Sequence, residues 1–258
     1  MTALVPYVTG GISADWTDYL LAYQEAGATA IEIGLPFSDP MLDGVTIQQA
    51  SDRALSRGAT VVSILQDLDR VRGRLRVPLI VMTYANLVFH RTPEGFCREL
   101  ADAGISGLIV PDLPVDEAKP VARAAAEAGI DLIPLVAPVT PDDRLEQIAA
   151  LGSGYIYAVS VMGTTGERAT LGSSAAGLAA RVKAVTDRPV LIGFGVSSPE
   201  QAAEAGRAGD GVVVASALMR RVLDGATPAE IRETVAGFAA ALEVSADYAY
   251  AEVSGDRR

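Results

Sequence analysis

The sequence predicts a single closed (β/α)8 barrel, and two observations lead to that fold class. First, a helix end rich in small residues, a glycine and an apolar run follow one another five times, as in "EAGATAIEIG" and "RAGDGVVVAS". Second, eight apolar strands alternate with helical stretches over about 250 residues, which is the size and order of such a barrel. An open doubly wound sheet is the rival class. It would need a G-x-G-x-x-G turn after the first strand, and only "GG" follows Thr9.

The repeated unit is typical of a helix that leads into a buried parallel strand. Its glycines are Gly27, Gly104, Gly129, Gly152 and Gly209. A glycine just past a helix end commonly adopts the left-handed conformation that ends the helix, so we expect that conformation at each of the five. The intervals from Gly104 to Gly129 (25 residues) and from Gly129 to Gly152 (23 residues) match one β/α unit each. The 77 residues between Gly27 and Gly104 leave room for about three units.

The remaining elements are predicted in chain order. The first strand is Ala3–Thr9, two more lie over 78–82 and 189–192, and the other five follow the glycines. Helical stretches between strands include "SADWTDYLLAYQEA", "PVDEAKPVARAAAEA" and "SPEQAAEAGRA". We assign residues 1–245 to one barrel domain and residues 246–258 to a polar tail that ends loosely.

Composition and charge disfavour several classes of function. Of the 258 residues, 50% are hydrophobic, which suffices for one large core. The net charge of −11 disfavours a nucleic-acid partner, because phosphate backbones are bound by clustered lysine and arginine. Cys97 is the only cysteine, so no internal disulfide forms and we expect a cytoplasmic protein. No run reaches the ~18 apolar residues of a membrane-spanning helix, and "MTALVPYVTGG" does not resemble a secretion signal.

The stretch "IEIGLPFSDPMLDG" (31–44) places a carboxylate in an apolar strand. Alternate residues of a barrel strand face in and out, so we expect Ala30, Glu32 and Gly34 to face the axis and their neighbours to face the helices. A carboxyl group inside a barrel has a raised pKa, which suits proton transfer near neutral pH. A structural ion pair is the alternative interpretation, and the lack of any lysine or arginine on a predicted strand disfavours it.

Two further carboxylates, Asp39 and Asp43, follow in the loop at the C-terminal end of this strand. Barrel enzymes keep their active sites at that end, so the position favours a function for both residues. Asp39 in "SDP" and Asp43 before Gly44 also suit tight turns, and for each of them the turn interpretation stays open.

An anion site is predicted after the last two strands. "IGFGVSSPEQ" follows predicted strand seven and "VVVASALMRR" follows strand eight, where barrels often bind phosphate with backbone N–H groups and a helix N-terminus. Gly193 and Gly195 let the backbone approach an anion closely, and Ser216 can donate a hydrogen bond from the helix start. The alternative is that the glycines serve only tight turns.

The segment "SVMGTTGERATLGSS" (160–174) is long, small and polar between a strand and a helix. This composition is typical of an active-site lid and equally of an ordinary surface loop.

Metal and nucleophile chemistry are weakly supported. The single histidine, His90, excludes a His-based zinc site and a Ser-His-Asp triad. Cys97 lies in the predicted helix "PEGFCRELADAG", where packing is its expected role. Acid–base chemistry by carboxylates remains.

Five segments in order resemble the tryptophan synthase alpha subunit family: "IEIGLPFSDPMLDGVTIQ", "MTYANLVF", "IVPDLPVDEA", "GTTGER" and "GFGVSSPEQ". The likeness extends over roughly residues 6–240, and its P-F-S-D-P loop is highly specific. The resemblance implies the retro-aldol cleavage of indole-3-glycerol phosphate to indole and glyceraldehyde 3-phosphate, without a cofactor. It also implies that Glu32 is the catalytic glutamate and Asp43 the catalytic aspartate.

Further site residues are implied by the same resemblance. The phosphate-binding positions are Gly166, Gly195, Ala215 and Ser216, with Gly193 and Phe194 in the same loop. The indole pocket includes Tyr7, Met82, Ile109 and Tyr157. Thr165 matches a lid threonine whose hydroxyl is implied to bond the catalytic aspartate when the loop closes.

The resemblance also implies a partner, a beta subunit that receives indole through a tunnel in an α2β2 complex and activates the alpha site. Asp39, Pro40 and Asn86 match the family's interface loops. Two other functions stay open: a stand-alone lyase that releases free indole, and an inactive barrel that serves as a binding module. The presence of both Glu32 and Asp43 argues against the inactive barrel.

Three features depart from the family pattern, one at the N-terminus and two at single positions. The family usually has a helix before the first strand, so either this cover of the barrel is missing here or the true start lies upstream. Val45 stands where the family usually has proline, which loosens the catalytic loop entropically. Ala215 replaces the usual glycine at the phosphate site, which is harmless only if φ is negative there.

Overall fold

A computed structural model describes residues 2–159, 171–193 and 195–242, with the backbone alone for 171–174. Nine parallel strand segments of this part of the chain form one sheet. They are β1 (Ala3–Thr9), β2 (Ile31–Gly34), β3 (Leu79–Met82), β4 (Gly107–Ile109), β5 (Asp131–Leu132), β6 (Leu135–Val136), β7 (Ile156–Val159), β8 (Val190–Gly193) and β9 (Gly211–Val214). All eight predicted strands are present, and the fifth consists of the two segments β5 and β6.

The sheet closes into a barrel at this divided fifth strand. The spatial order is β5-β4-β3-β2-β1-β9-β8-β7-β6, so the two ends of the sheet are consecutive in the chain. Hydrogen bonds continue on both sides of the break: the Ile133 N–H donates to the Leu108 carbonyl and the Tyr157 N–H to the Pro134 carbonyl, both at 2.9 Å. Pro134 has no N–H to donate, which accounts for the division. The predicted (β/α)8 barrel is confirmed.

Helices surround the barrel strands. In the described ranges they are α1 (Trp16–Glu25), α2 (Val45–Ser56), α3 (Val61–Val71), α4 (Ala85–Arg91), α5 (Pro93–Asp102), α6 (Lys119–Ala128), α7 (Asp142–Leu151), α8 (Leu171–Lys183), α9 (Pro199–Ala208), α10 (Ser216–Leu223) and α11 (Pro228–Ala241). No helix within those ranges has both the length and the apolar character that crossing a membrane requires.

Two expectations about spacing are wrong. The interval from Gly27 to Gly104 holds two β/α units rather than about three, because β2 and β3 are each followed by two helices. The segment predicted as a loop over 160–174 ends earlier, because α8 begins at Leu171. Residues 160–170 and the predicted tail, 246–258, lie outside the described residues.

The five glycines after helices fall into two groups. Three have the expected positive φ, between 75° and 95°: Gly27, Gly104 and Gly129. The expectation is wrong for Gly152 (φ −80°) and Gly209 (φ −122°). A Cβ would lie 2.5 Å from the Pro134 side chain at Gly152 and 2.6 Å from the Val190 carbonyl oxygen at Gly209. Close packing of the chain explains these two glycines.

The strand side chains alternate between two layers of core. One layer fills the barrel axis and consists of Ala3, Val5, Ala30, Ile80, Ile109, Ile133, Tyr155, Tyr157, Leu191 and Val213. The other layer lies between strands and helices and includes Ile31 and Ile33. Glu32 is between these two isoleucines in sequence, and it is 1% exposed inside the barrel. The predicted inward orientation of Glu32 is confirmed.

Candidate active site

A cavity of about 220 Å³ lies at the C-terminal end of the barrel strands. Its lining brings together eight residues that were singled out from the sequence: Tyr7, Glu32, Asp43, Met82, Tyr157, Gly195, Ala215 and Ser216. These residues come from segments that are far apart in the chain, and the barrel places them around one space.

Glu32 lines this cavity from β2. On β2 it stands in register with Tyr7 of β1 and Ile80 of β3. Its buried Oε2 atom has no hydrogen-bond partner among the described residues. Burial in the first place, and the nearby charge of Asp43 in the second, raise the pKa of Glu32 from 4.5 to about 8. Glu32 is therefore protonated at neutral pH and can donate a proton.

Asp43 is held over the cavity by the loop between β2 and α2. Its backbone carbonyl accepts a hydrogen bond from Gln48 Nε2 at 2.8 Å. Burial raises the pKa of the Asp43 carboxyl, and a hydrogen bond with Tyr84 opposes this rise. The Tyr84 hydroxyl also accepts the Leu42 N–H at 3.1 Å, and burial raises the pKa of this phenol to about 12. Tyr84 therefore stays protonated and donates to the carboxylate.

Two tyrosines line the cavity, and each fits against a glycine of the next strand. A Cβ on Gly34 would lie 1.8 Å from the Tyr7 hydroxyl oxygen, and one on Gly193 would lie 2.1 Å from the Tyr157 ring. Burial raises the pKa of both phenols, so both are neutral hydrogen-bonding groups. Gly193 itself does not line the cavity, because the Tyr157 ring occupies the space in front of it.

The opposite side of the cavity has the geometry of an anion site. Gly195 has a φ of 81°, which favours glycine there. α10 begins at Ser216, and no side chain caps its N-terminus, whereas Ser198 caps α9 by accepting the Gln201 N–H. The first N–H groups of α10 are thus available to an anion. Ala215 has a φ of −114°, so alanine is tolerated in place of glycine.

Other residues singled out from the sequence lie elsewhere. Ile109 is buried in the inner layer of the barrel and does not line the cavity. Asp39 and Asn86 are exposed and Pro40 is half-buried, in or just after the loops that follow β2 and β3. Thr165, Gly166 and Phe194 lie outside the described residues.

Six further residues line the cavity although the sequence did not predict a role for them: Gly44, Ile47, Val196, Ser197, Val213 and Ala217. Two of them carried a signal, because Ile47 lies in the first turn of α2, just after Asp43, and Ala217 lies in the first turn of α10. The others are small or aliphatic residues whose types indicate no chemistry.

A second cavity, of about 280 Å³, lies outside the barrel against β5, β6 and α7. Its lining is mostly apolar and includes Leu132, Pro134 and Ile148. Arg144 is its one charged lining residue, and it is bound to Asp116 at 2.7 Å. Because this cavity has no carboxylate or unpaired polar side chain among its lining residues, the smaller cavity is the candidate active site.

Neither the cysteine nor a metal centre contributes to the described site. Cys97 is fully buried on α5, and burial raises the pKa of its thiol to about 11, in agreement with the predicted packing role. Within the described ranges, no group of three or more His, Cys, Asp or Glu side chains could hold a metal ion.

Known proteins resemble this chain along most of its length. The family model for the tryptophan synthase alpha chain matches residues 1–247. A tryptophan synthase alpha chain from a Picosynechococcus species is 45% identical over 244 residues, which cover 93% of this chain and 92% of the relative. One from Gloeobacter violaceus is 46% identical over 231 residues, which cover 88% and 83%.

Solved structures agree with this match. The tryptophan synthase α2β2 complex from the hyperthermophile Pyrococcus furiosus contains a chain with a TM-score of 0.84 and 36% identity, covering 93% of this chain and 97% of that one. Tryptophan synthase subunit alpha from Legionella pneumophila has a TM-score of 0.86 and 29% identity, covering 94% and 93%.

Proposed function

This chain belongs to the tryptophan synthase alpha chain family, and we propose that the cavity around Glu32 is where it cleaves indole-3-glycerol phosphate. The chain is a lyase of tryptophan biosynthesis, and its products are indole and glyceraldehyde 3-phosphate. One observation carries the assignment of the site: a buried carboxyl, protonated at neutral pH, shares a cavity with the second carboxylate, Asp43.

In this proposal Glu32 first donates one proton and then accepts another. Its carboxyl first donates a proton to C3 of the indole ring, the carbon that must leave the glycerol chain. The resulting carboxylate then removes the proton of the neighbouring glycerol hydroxyl. As that O–H bond breaks, the hydroxyl carbon becomes the aldehyde carbonyl, the carbon–carbon bond breaks, and its electrons return to the ring. Glu32 ends protonated, as it began, because it has given up one proton and taken up another. A pKa of about 8 suits both transfers near neutral pH.

Asp43 stabilises the charge that this proton transfer creates. Protonation of C3 develops positive charge on the indole nitrogen, and a carboxylate that accepts the indole N–H stabilises that charge. Asp43 suits this role because the hydrogen bond from Tyr84 fixes its carboxylate before the substrate arrives.

The phosphate group of the substrate is proposed to bind at the start of α10. Ser216 and Ala217 contribute the uncapped first turn of this helix, and Gly195 brings a second loop close to it. Gly166 and Phe194 are also proposed to bind the phosphate, and Thr165 to bond Asp43 from the lid. These three proposals rest on the resemblance alone.

A beta subunit is the proposed partner, in an α2β2 assembly. The loop of Asp39 and Pro40 continues into two exposed apolar side chains, Met41 (83% exposed) and Leu42 (53% exposed). Adjacent exposed apolar residues are typical of a surface that a partner covers. Asn86 is exposed at the start of α4, the helix that Tyr84 joins to this loop. We also propose a cytoplasmic location, since the chain has a single cysteine.

The test is steady-state cleavage of indole-3-glycerol phosphate by the full chain, alone and with a beta subunit from the same source. We expect slow cleavage alone and a higher kcat in the complex, because the partner covers the loop that holds Asp43. Full activity alone, unchanged by the partner, would instead indicate a stand-alone lyase. No cleavage in either condition would reject the proposed reaction.

A further inference from the structure

Tyr7 and Glu32 are direct neighbours on adjacent strands inside the barrel. The β1–β2 register pairs Tyr7 with Glu32 and Thr9 with Gly34. Tyr7 and Glu32 both line the cavity, and Thr9 is fully buried. The phenol, the carboxyl and the threonine hydroxyl therefore share one corner of the site.

Gly34 determines where the Tyr7 hydroxyl lies. A Cβ on Gly34 would be 1.8 Å from the hydroxyl oxygen, so the phenol reaches across from β1 and ends over β2. Gly34 is two residues beyond Glu32 on the same face of that strand, a distance of about 6.6 Å. The Glu32 carboxyl and the Tyr7 hydroxyl thus lie on the same inner face of β2, and the charge of Glu32 adds to burial in raising the pKa of Tyr7.

The hydrogen bonds of this corner are incomplete. Tyr7 Oη and Thr9 Oγ1 are 3.3 Å apart, and either hydroxyl can be the donor. If Thr9 donates, the Tyr7 proton is free for another acceptor. Glu32 Oε2 is such an acceptor, because it is buried and has no partner among the described residues. This corner thus holds a phenol that can donate and a buried carboxyl oxygen that can accept.

We propose that Tyr7 is a positioning residue whose hydroxyl, supported by Thr9, hydrogen-bonds the Glu32 carboxylate after its proton has passed to the indole carbon. The inference rests on the proposed function. Tyr7 keeps its own proton throughout, and Glu32 regains a proton from the glycerol hydroxyl. The hydrogen bond stabilises the ionised intermediate and leaves the other carboxylate oxygen directed at the substrate.

The other titratable groups around Glu32 cannot take this role. Asp43, in the loop after β2, is an acceptor when ionised and raises the pKa of Glu32. Besides burial, the charge of Glu32 also raises the pKa of Tyr157 on β7. The Tyr157 hydroxyl, however, lies over Gly193 of β8, a different strand. Tyr7 is the phenol whose tip lies over the strand that carries Glu32.

The experiment compares Tyr7→Phe with the unmodified chain in the pH dependence of kcat/KM for indole-3-glycerol phosphate cleavage. Glu32 acts first as an acid, so activity falls as pH rises through its pKa. Loss of a hydrogen bond to the ionised form raises that pKa, and we expect the alkaline limb to move up by about one pH unit. We also expect kcat to fall about tenfold at neutral pH, with KM nearly unchanged.

Three variants separate positioning from packing. Thr9→Val should move the alkaline limb in the same direction as Tyr7→Phe but by less. Thr9→Ser keeps the hydroxyl and should give the profile of the unmodified chain. Tyr19→Phe removes a buried hydroxyl on α1 that donates to the Ala226 carbonyl, away from the cavity, and should leave the profile unchanged. A Tyr7→Phe profile that coincides with that of the unmodified chain would overturn the inference.

A second measurement does not depend on turnover. The pH titration of the Glu32 carboxyl can be followed by 13C NMR in both proteins, with Glu32→Gln to assign the signal. An upward shift of the pKa in Tyr7→Phe supports the hydrogen bond, and equal values reject it. An unmodified chain without cleavage activity would reject the proposed function, and this titration would still decide the inference.

Discussion

The hydroxyl of Tyr84 is hydrogen-bonded to the carboxylate of Asp43, across two loops that follow neighbouring strands. The same hydroxyl accepts the Leu42 N–H at 3.1 Å, and the Tyr84 ring stacks on Phe37 with centroids 5.1 Å apart. Tyr84, which follows β3, therefore contacts three residues of the loop that carries Asp43: Phe37, Leu42 and Asp43 itself. The Asp43 carboxylate, the proposed charge-stabilising group, is therefore oriented by a residue of a different loop.

Tyr84→Phe keeps the stacked ring and removes the hydroxyl. We expect the pKa of Asp43 to rise, because the lost hydrogen bond favours the ionised form. The acidic limb of the kcat/KM profile should move to higher pH by about half to one unit, and kcat should fall ~10-fold. This is the limb opposite to the one that Tyr7→Phe moves. Tyr19→Phe is again the matched control, and an unmoved acidic limb would contradict the role of Tyr84.

Glu32→Gln should abolish cleavage and leave binding of substrate analogues nearly intact. The amide keeps the shape of the side chain and loses the transferable proton, which is worth ~10²-fold or more in rate. Single-turnover cleavage and analogue titrations measure the two effects separately. Turnover within a few-fold of the unmodified chain would show that another group moves the proton.

Glu32 should also make the stability of the fold depend on pH. Its pKa is raised from 4.5 to about 8 in the folded chain, so between these values the folded state holds a proton that the unfolded state has released. The free energy of unfolding therefore falls as pH rises through this window and levels off above it. Urea unfolding at about pH 5 and about pH 8.5 should show a smaller difference for Glu32→Gln than for the unmodified chain. Equal differences would mean that Glu32 titrates normally.

Ser216→Asp should weaken phosphate-bearing ligands selectively. The new carboxylate lies in the first turn of α10, where it competes with a bound anion for the uncapped N–H groups. We expect glyceraldehyde 3-phosphate to bind about tenfold more weakly, or worse, while an indole analogue without phosphate binds as before. Ser216→Ala is the neutral control. Equal losses for both ligands would point to misfolding of the site.

Val45→Pro should stabilise the chain. Val45 is the first residue of α2 and is 66% exposed, and Gly44 before it has φ −70° and ψ 160°, which proline permits in a preceding residue. Proline restricts the unfolded chain, so we expect a gain of about 0.4–1 kcal/mol in the free energy of unfolding. A higher urea midpoint with an unchanged slope is the expected result, with Val45→Ala as control. A lower midpoint would show that the backbone at Val45 does not suit proline.

Much of the site could be predicted because its signals are local. The inward orientation of Glu32 follows from the two-residue period of a strand, and the start of α10 at Ser216 follows from the end of an apolar run. The placement of Asp43 at the mouth of the barrel follows from the rule that the loops after the strands meet at one end. Each of these three features can be inferred without knowing the distance between residues that are far apart in the chain.

The remaining features depend on contacts between distant segments. The bond from Tyr84 to Asp43 and the contact of Tyr7 with Gly34 join residues on different strands or loops, and no periodicity in the chain indicates either. Gly152 and Gly209 look like helix-ending glycines in sequence, yet packing against other strands accounts for them. The pattern of the chain thus specified the barrel and its carboxylates, because strand and helix periods are short-range. Closure of the barrel specified which groups tune those carboxylates, because burial and hydrogen bonding arise only when remote segments meet.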